Sequence, residues 1–210
     1  MMESYRVPTR DSETEFIEKK SRFIGRIWVV ETEEEALARL KEMRARHWDA
    51  THNVFAYIIH GGPMRYSDDG EPQGTAGMPV LDVLRGQSLE NVCCIVTRYF
   101  GGTLLGTGGL VRAYGKAARD AVTEAGISVK RLWQKLDLIL PYTYNERLRQ
   151  QTERSGGQIL DTEYGADVCL HVILPADAAE DYLARVTDLT AGTVQGIDAG
   201  TEFRAFPVSD

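Results

Sequence analysis

An almost unbroken apolar run, NVCCIVTRYF at 91–100, is followed at once by five glycines in nine positions, GGTLLGTGG, and then by an alanine-rich stretch ending at Ala125. This order limits the possible folds more than any other feature of the chain. A run without polar alternation reads as a strand covered on both faces. Leu110, Tyr114, Ala117, Ala121 and Ala125 recur at helical spacing, so a helix from about Gly108 to Ala125 turns one face to a core. Strand, glycine loop and helix therefore belong to one layered sheet-and-helix unit.

The loop has two readings. Gly101, Gly102, Gly106, Gly108 and Gly109 can all take positive φ and allow close backbone approach. Backbone N–H groups at the start of the following helix can face an anion. The dinucleotide fingerprint needs GxGxxG where this segment offers GTGGL, and the phosphate loop of nucleotide hydrolases needs a Lys that is missing. The other reading is a loop shaped only by packing on its own sheet. Arg112, Lys116 and Arg119 stand at i, i+4 and i+7 and make a basic stripe. Cations in the first half of a helix oppose its dipole at a cost of a few tenths of a kcal/mol. An anionic partner would offset that cost; on a solvated face, Asp120 and Glu124 would pair with them instead.

A second chemistry-bearing stretch is YSDDGEPQGTAGMPVLDVL, 66–84. Asp68, Asp69 and Glu71 lie close enough to hold a hard cation such as Mg²⁺. The calcium-loop spacing is absent. A turn built from Asp-Gly and Glu-Pro, with Asp side chains bonding local amides, explains the same residues, and a tight metal site is not expected. His52-Asn53 heads a strand and can donate hydrogen bonds to this loop. His47, His52, His60 and His171 show no zinc spacing. No nucleophile motif occurs, and Cys93 and Cys94 lie in the apolar run, which makes them buried and inert. No catalytic residue and no cofactor are predicted.

The C-terminal third reads as a separate unit. KLDLILP alternates Leu136, Leu138 and Leu140. Thr143 with Glu146 and Asp177 with Glu180 resemble capping boxes opening two helices, the second with Leu183, Val186 and Leu189 on its stripe. QILDTEY and DVCLHVIL read as a hairpin with Val168, Leu170, Val172 and Leu174 inward, and a last strand lies in TVQGIDAGTEFRAFPV. The order strand, helix, strand, strand, helix, strand is ferredoxin-like βαββαβ. Gln134 to Asp210 holds thirteen acidic and six basic residues, which accounts for the whole net charge of -7. A nucleic acid would be repelled by this part and would have to use the first. A boundary near 132 is predicted, giving domains 1–132 and 133–210. In the first, TEFIEKK, SRFIGRIWVVE and HNVFAYIIH read as strands. Thr32 with Glu35 caps a helix facing Leu37, Leu40 and Met43 inward. The three cysteines form no CxxC pair, and no apolar run reaches membrane length, so a soluble cytoplasmic protein is expected.

KKSRFIG (19–25), DATHNVFAY (49–57), the acidic stretch 66–84 and VTRYFGGTLLGTGGLVRAYGKAA (96–118) closely resemble the YigZ/Impact family, with minor departures such as Met78 where a basic residue is common. The resemblance implies a two-domain α+β protein. Its N-terminal domain would be similar to elongation factor G domain IV and the RNase P protein, a ribosomal-protein-like βαβ fold. Its C-terminal domain would be similar to elongation factor G domain V. Eukaryotic relatives regulate the translational stress response by binding a ribosome-associated activator of a kinase. The residues and the resemblance together point to a non-enzymatic binding protein. Arg98, Tyr99, the five loop glycines, Arg112, Lys116 and Arg119 would meet RNA, the ribosome or a translation-associated protein, without DNA sequence specificity. The alternative is a metal-assisted enzyme on a phosphorylated or nucleotide substrate, using the acidic loop for the ion and the glycine loop for phosphate.

Overall fold

The computed structural model describes residues 4–207. They form two compact units, Tyr5–Val129 and Lys130–Arg204. No helix among the described residues is long and apolar enough to cross a membrane.

The first unit contains β1 (Tyr5–Pro8), β2 (Ser12–Glu18), β3 (Ser21–Val29), α1 (Glu33–Arg46), β4 (His52–Ile58), β5 (Met64–Ser67), α2 (Gly77–Gly86), β6 (Val92–Tyr99) and α3 (Thr107–Ala125). Its main sheet has the order β2-β3-β6-β4-β5, and every pairing is antiparallel. The continuous apolar run is β6, the central strand, where residues 92–98 are all buried. One face of the sheet packs on α2 and α3, through Phe23, Ile27, Val54, Cys94, Val96 and the predicted α3 stripe. The other face packs on α1 through Trp28, Tyr57, Cys93 and Ile95. Both faces being covered is the physical reason β6 shows no alternation. Burial pushes the Cys93 thiol up to about 12, and Cys94 is raised by the same cause, so both remain protonated and unreactive.

Thr32 caps α1 as predicted: Glu35 N donates to Thr32 Oγ1 at 3.2 Å, and Glu35 Oε2 in turn accepts from Glu31 N, one residue before the cap, at 2.7 Å. The stripe is shifted from the expectation. Ala36, Leu40 and Met43 are buried, whereas Leu37 is half exposed. Ala36 sits in the contact with the sheet and Leu37 turns outward.

β7 (Ile127–Leu140) carries the chain from the first unit into the second, so the boundary predicted near 132 falls within a strand. The second unit continues with α4 (Asn145–Arg154), β8 (Gln158–Tyr164), β9 (Val168–Pro175), α5 (Ala179–Thr190) and β10 (Gly196–Pro207). β7 lies between β10 and β9, and β8 is outside β9. This is the 4-1-3-2 order of a ferredoxin-like sheet, numbering its strands along the chain. Leu136, Leu138, Leu140, Val168, Leu170, Val172 and Leu174 all point into its core. Neither predicted capping box forms. Both helices enter through a single 3₁₀ turn, Tyr142–Tyr144 or Ala176–Ala178, without a side-chain cap. The proline before each turn, Pro141 or Pro175, favours this tighter entry.

On the opposite face of this second sheet, His171 Nδ1 meets Asp137 Oδ1 at 2.6 Å, and Nε2 lies 3.6 Å from Glu163. The Asp137 carboxylate holds the imidazole above its ordinary value of 6.5. A raised folded value adds stability that is complete below about pH 6.5 and is lost as pH rises through the folded value. Asp137→Asn is therefore expected to destabilise the chain more at about pH 5.5 than at about pH 8.5. Thermal unfolding at the two pH values checks this, and an equal loss at both would disprove the coupling.

Candidate functional site

The glycine loop folds over the hairpin between β2 and β3. A Cβ at Gly101 would lie 2.0 Å from the backbone of Lys20, so only glycine fits. Gly101 N also donates to Ser21 Oγ at 3.2 Å. Of the five glycines that can take positive φ, Gly102 and Gly106 do so, at 80° and 73°, and Gly101, Gly108 and Gly109 do not. Gly108 and Gly109 lie inside the first turn of α3, which imposes helical angles. The start of α3 at Gly106 has no side-chain cap and no acidic residue in its first turn.

The acidic loop disperses its carboxylates. Asp68 accepts from Gly74 N, Ala76 N and Gly77 N at 2.8–3.1 Å and so serves as the anionic cap of α2. Asp69 accepts from Asn53 N at 2.7 Å and from Arg44 Nη2 at 2.7 Å, and its carbonyl accepts from His52 Nδ1 at 2.7 Å. The predicted link from His52-Asn53 to this loop is therefore present. Glu71 turns the other way, into the protein. No group of three or more His, Cys, Asp or Glu side chains among the described residues is placed to hold a metal ion.

Glu71 and Arg98 form a buried ion pair, Nη1 to Oε1 at 2.6 Å, with both side chains about 5% exposed. Tyr114 Oη donates to the same Oε1 at 2.7 Å, and His52 Nε2 lies 3.7 Å from it. Burial, then the Glu71 charge, raises the Tyr114 hydroxyl far above its ordinary value, so it is a permanent donor. Paired this way, Glu71 Oε1 is taken up by two donors inside the protein. Glu71, Arg98 and His52 line a cavity of about 400 Å³ together with Phe100, Leu104, Leu105, Leu110, Gly106 and Thr107.

A smaller groove of about 260 Å³ lies on the other side of Leu105. Lys19, Arg112 and Lys116 line it with Glu18, Phe16 and Gly109. Lys116 Nζ is 4.4 Å above the Phe16 ring and is also paired with Asp120. Glu124 pairs with Arg10, leaving the stripe without its second expected acidic partner.

An N-terminal unit with these loops and a ferredoxin-like second unit has known relatives. The Impact N-terminal domain matches residues 19–122, and a domain of unknown function, DUF1949, matches 138–193. IMPACT family member YvyE of Bacillus subtilis is 34% identical over 194 residues, covering 91% of this chain and 89% of the relative. IMPACT family member YigZ of Escherichia coli is 35% identical over 199 residues, covering 92% and 97%. The chain belongs to the IMPACT family. A solved structure titled "Crystal structure of an hypothetical protein" shares the fold with a TM-score of 0.61 and 33% identity, over 95% of this chain and 99% of that one.

Within this IMPACT-type unit, the predicted site residues divide into three places. Arg112 and Lys116 come together in the basic groove, whereas Arg119 lines a different groove with Gly86, the last residue of α2, and Gln87 just after it. Arg98 is not on the surface, a correction to the predicted basic face. Its side chain lies on the α3 side of β6, where Glu71 compensates the buried charge. Tyr99, the next residue along the strand, points to the α1 side, with Oη 2.8 Å from His47 Nδ1 and 3.3 Å from Asp49 Oδ1. Strand alternation alone separates neighbouring residues in this way. Sequence reasoning missed Lys19, His52 and Tyr114 as site residues. The Lys19-Lys20 pair, both at positive φ in a two-residue hairpin turn, was the available signal.

Proposed function

We propose that the protein is a binding module linked to translation, which takes an RNA phosphate backbone in the groove formed by Lys19, Arg112 and Lys116. The ribosome is the natural source of such RNA, and a translation-associated protein with an acidic segment is the competing partner. The observation that carries this reading is the convergence of three cations from two elements beside an uncapped helix start. A phosphate bound beside the start of α3 would also meet the positive end of its dipole. Phe16, stacked on Phe23 and covered by Lys116, gives the groove an apolar wall that holds the Lys116 ammonium in place. The second unit, with its acidic excess, would repel the nucleic acid and leave its binding to the first.

The alternative, a metal-assisted reaction on a phosphorylated or nucleotide substrate, has less support. Asp68, Asp69 and Glu71 each go to protein donors in different directions. Fluorescence anisotropy with a labelled single-stranded RNA tests the reading. Three phosphate contacts predict a log–log salt slope near about -2, from roughly -0.7 per contact. Reversing Arg112 and Lys116 to Glu is expected to abolish binding while moving the thermal midpoint by only a few degrees, because both are exposed. Unchanged RNA and ribosome association in the double variant would reduce the stripe to a solvated helix face.

A further inference from the structure

Arg119, the third residue of the predicted basic stripe, carries an inference separate from the RNA groove. It lines two contiguous grooves, of about 490 and 390 Å³, that share Val83, Gln87 and Arg119 and form one trench between α2 and α3. The larger part runs on to Arg6 of β1 and Ile127 at the start of β7. Three observations meet there. First, Arg6 and Arg119 both line this part, and no carboxylate does. Neither arginine side chain has a hydrogen bond or ion pair among the described residues. The acids nearby are already matched. Lys116 takes Asp120, Arg10 takes Glu124, and Glu90, whose N–H bonds the Arg6 carbonyl, sends its carboxylate to His60. The last carbonyls of α3 are matched too, those of Val122 and Thr123 by Gly126 N and that of Glu124 by Arg10. Two unmatched cations facing one groove repel each other, and a bound carboxylate would relieve both. Second, Gly115 stands in the interior of α3, where glycine is a destabilising choice next to alanine. An added Cβ would lie 3.1 Å from Arg119 Nη1, and its three nearest atoms all belong to that guanidinium. The Arg119 side chain therefore lies back over the preceding turn of α3 and along the trench. Third, the walls are aliphatic, from Val83, Val111, Val122, Ile127 and Pro79, with Val111 40% exposed. No aromatic ring lines the trench, so a nucleobase has no stacking surface there.

We infer that this trench docks an acidic segment of a partner protein, with a carboxylate side chain bonded by Arg6 and Arg119 and flanking aliphatic side chains against Val83, Val111 and Ile127. The planar donors of arginine match a carboxylate, and arginine beside apolar walls is a pairing that protein interfaces favour. Charge also sets the direction of the segment. Asp82 lines only the part that holds Val111 and Gly115, so the acidic residue goes toward β1 and an uncharged or basic one toward Asp82. The trench shares no lining residue with the groove of Lys19, Arg112 and Lys116, so this reading does not rest on RNA binding.

The experiment is an amide NMR titration of the full ¹⁵N-labelled chain with three blocked hexapeptides: alternating leucine and glutamate, alternating leucine and glutamine, and all glutamate. The leucine–glutamate peptide is expected to bind saturably with a Kd below about 1 mM and to shift the amides of Gly86, Gln87, Gly115 and Thr123 and the Arg119 Nε signal. The two control peptides are expected to be at least about tenfold weaker. Arg6→Gln with Arg119→Gln is expected to bring the leucine–glutamate peptide down to the level of its glutamine counterpart. Gly115→Ala is the sharper variant. It removes a glycine from a helix interior, so the thermal midpoint should hold or rise. Its methyl group displaces the Arg119 guanidinium, so binding of the leucine–glutamate peptide should fall about fivefold. A merely structural role for this glycine would move stability and leave binding as it was. The inference is overturned if the leucine–glutamate peptide shifts none of these signals through the millimolar range, if either control peptide binds as tightly, or if Gly115→Ala binds like the parent. A single-stranded oligouridylate that displaces the peptide from these residues would make the trench part of an RNA path and would overturn it equally.

Discussion

Glu71→Ala is expected to lower the thermal midpoint by about 10–20 °C, the largest effect of any polar substitution in the chain. The carboxylate balances a guanidinium that is itself only 5% exposed, and the two lie between the sheet and α3. Removing it leaves a buried charge without its counterion and takes the acceptor from Tyr114 Oη, 2.7 Å away. Breaking one side of a buried pair costs about 3–5 kcal/mol, more than the pair contributes over an apolar replacement. Glu71→Gln keeps an acceptor and should fall between the parent and Ala. Replacing both partners, Glu71→Leu with Arg98→Met, should recover most of the loss, because no charge is then buried. Calorimetry on the four proteins checks this order. A midpoint within about 2 °C of the parent for Glu71→Ala would show that Arg98 reaches water or another acceptor.

The same pair marks where sequence reasoning reached its limit. The elements were readable because periodicity reports local geometry. The unbroken run of β6 and the stripe of α3 follow from which faces are covered. The alternating leucines of β7 and the inward residues of β9 follow from the pleat. The site residues were harder for a physical reason. Arg98 and Glu71 are 27 positions apart, and no local pattern says that an arginine at the end of a buried strand turns inward to meet a glutamate from a loop. An exposed arginine and a buried paired one have the same letter. Tyr99 shows the same difficulty, since a glycine loop beside it in the sequence suggests proximity that alternation removes. Asp68 was legible in kind, as a residue bonding local amides, but the amides it caps lie six to nine positions ahead, at the start of α2. The capping boxes failed at α4 and α5 because a 3₁₀ turn after a proline satisfies the first amides by backbone alone.

Gly101→Ala is expected to cost about 3 kcal/mol, whereas Gly102→Ala is expected to cost about 1 kcal/mol, although Gly102 is the residue with positive φ. The two positions separate the two things glycine can provide. At Gly102, with φ of 80°, an added Cβ meets nothing within 4 Å, so the only penalty is the left-handed backbone. At Gly101 the Cβ would stand 2.0 Å from the carbonyl of Lys20 and 2.5 Å from Ser21 N. Neither is the end of a flexible side chain. Lys19 and Lys20 occupy a turn with φ of 45° and 68°, and the pairing of Glu18 with Ser21 fixes its register. The turn therefore cannot yield without disturbing β2 and β3 together. Denaturant unfolding of the two variants measures the difference, and equal losses would show that close approach is not what the loop requires. The proposed function adds a second readout. Lys19 lines the basic groove, so displacing its turn should weaken RNA binding in Gly101→Ala, while Gly102→Ala should bind like the parent. A loop that contributed its open amides alone would lose binding at both positions or at neither. A loss confined to Gly101→Ala would mean that the glycine holds the hairpin lysine in place, making the packing of the loop on its own sheet the condition for its function.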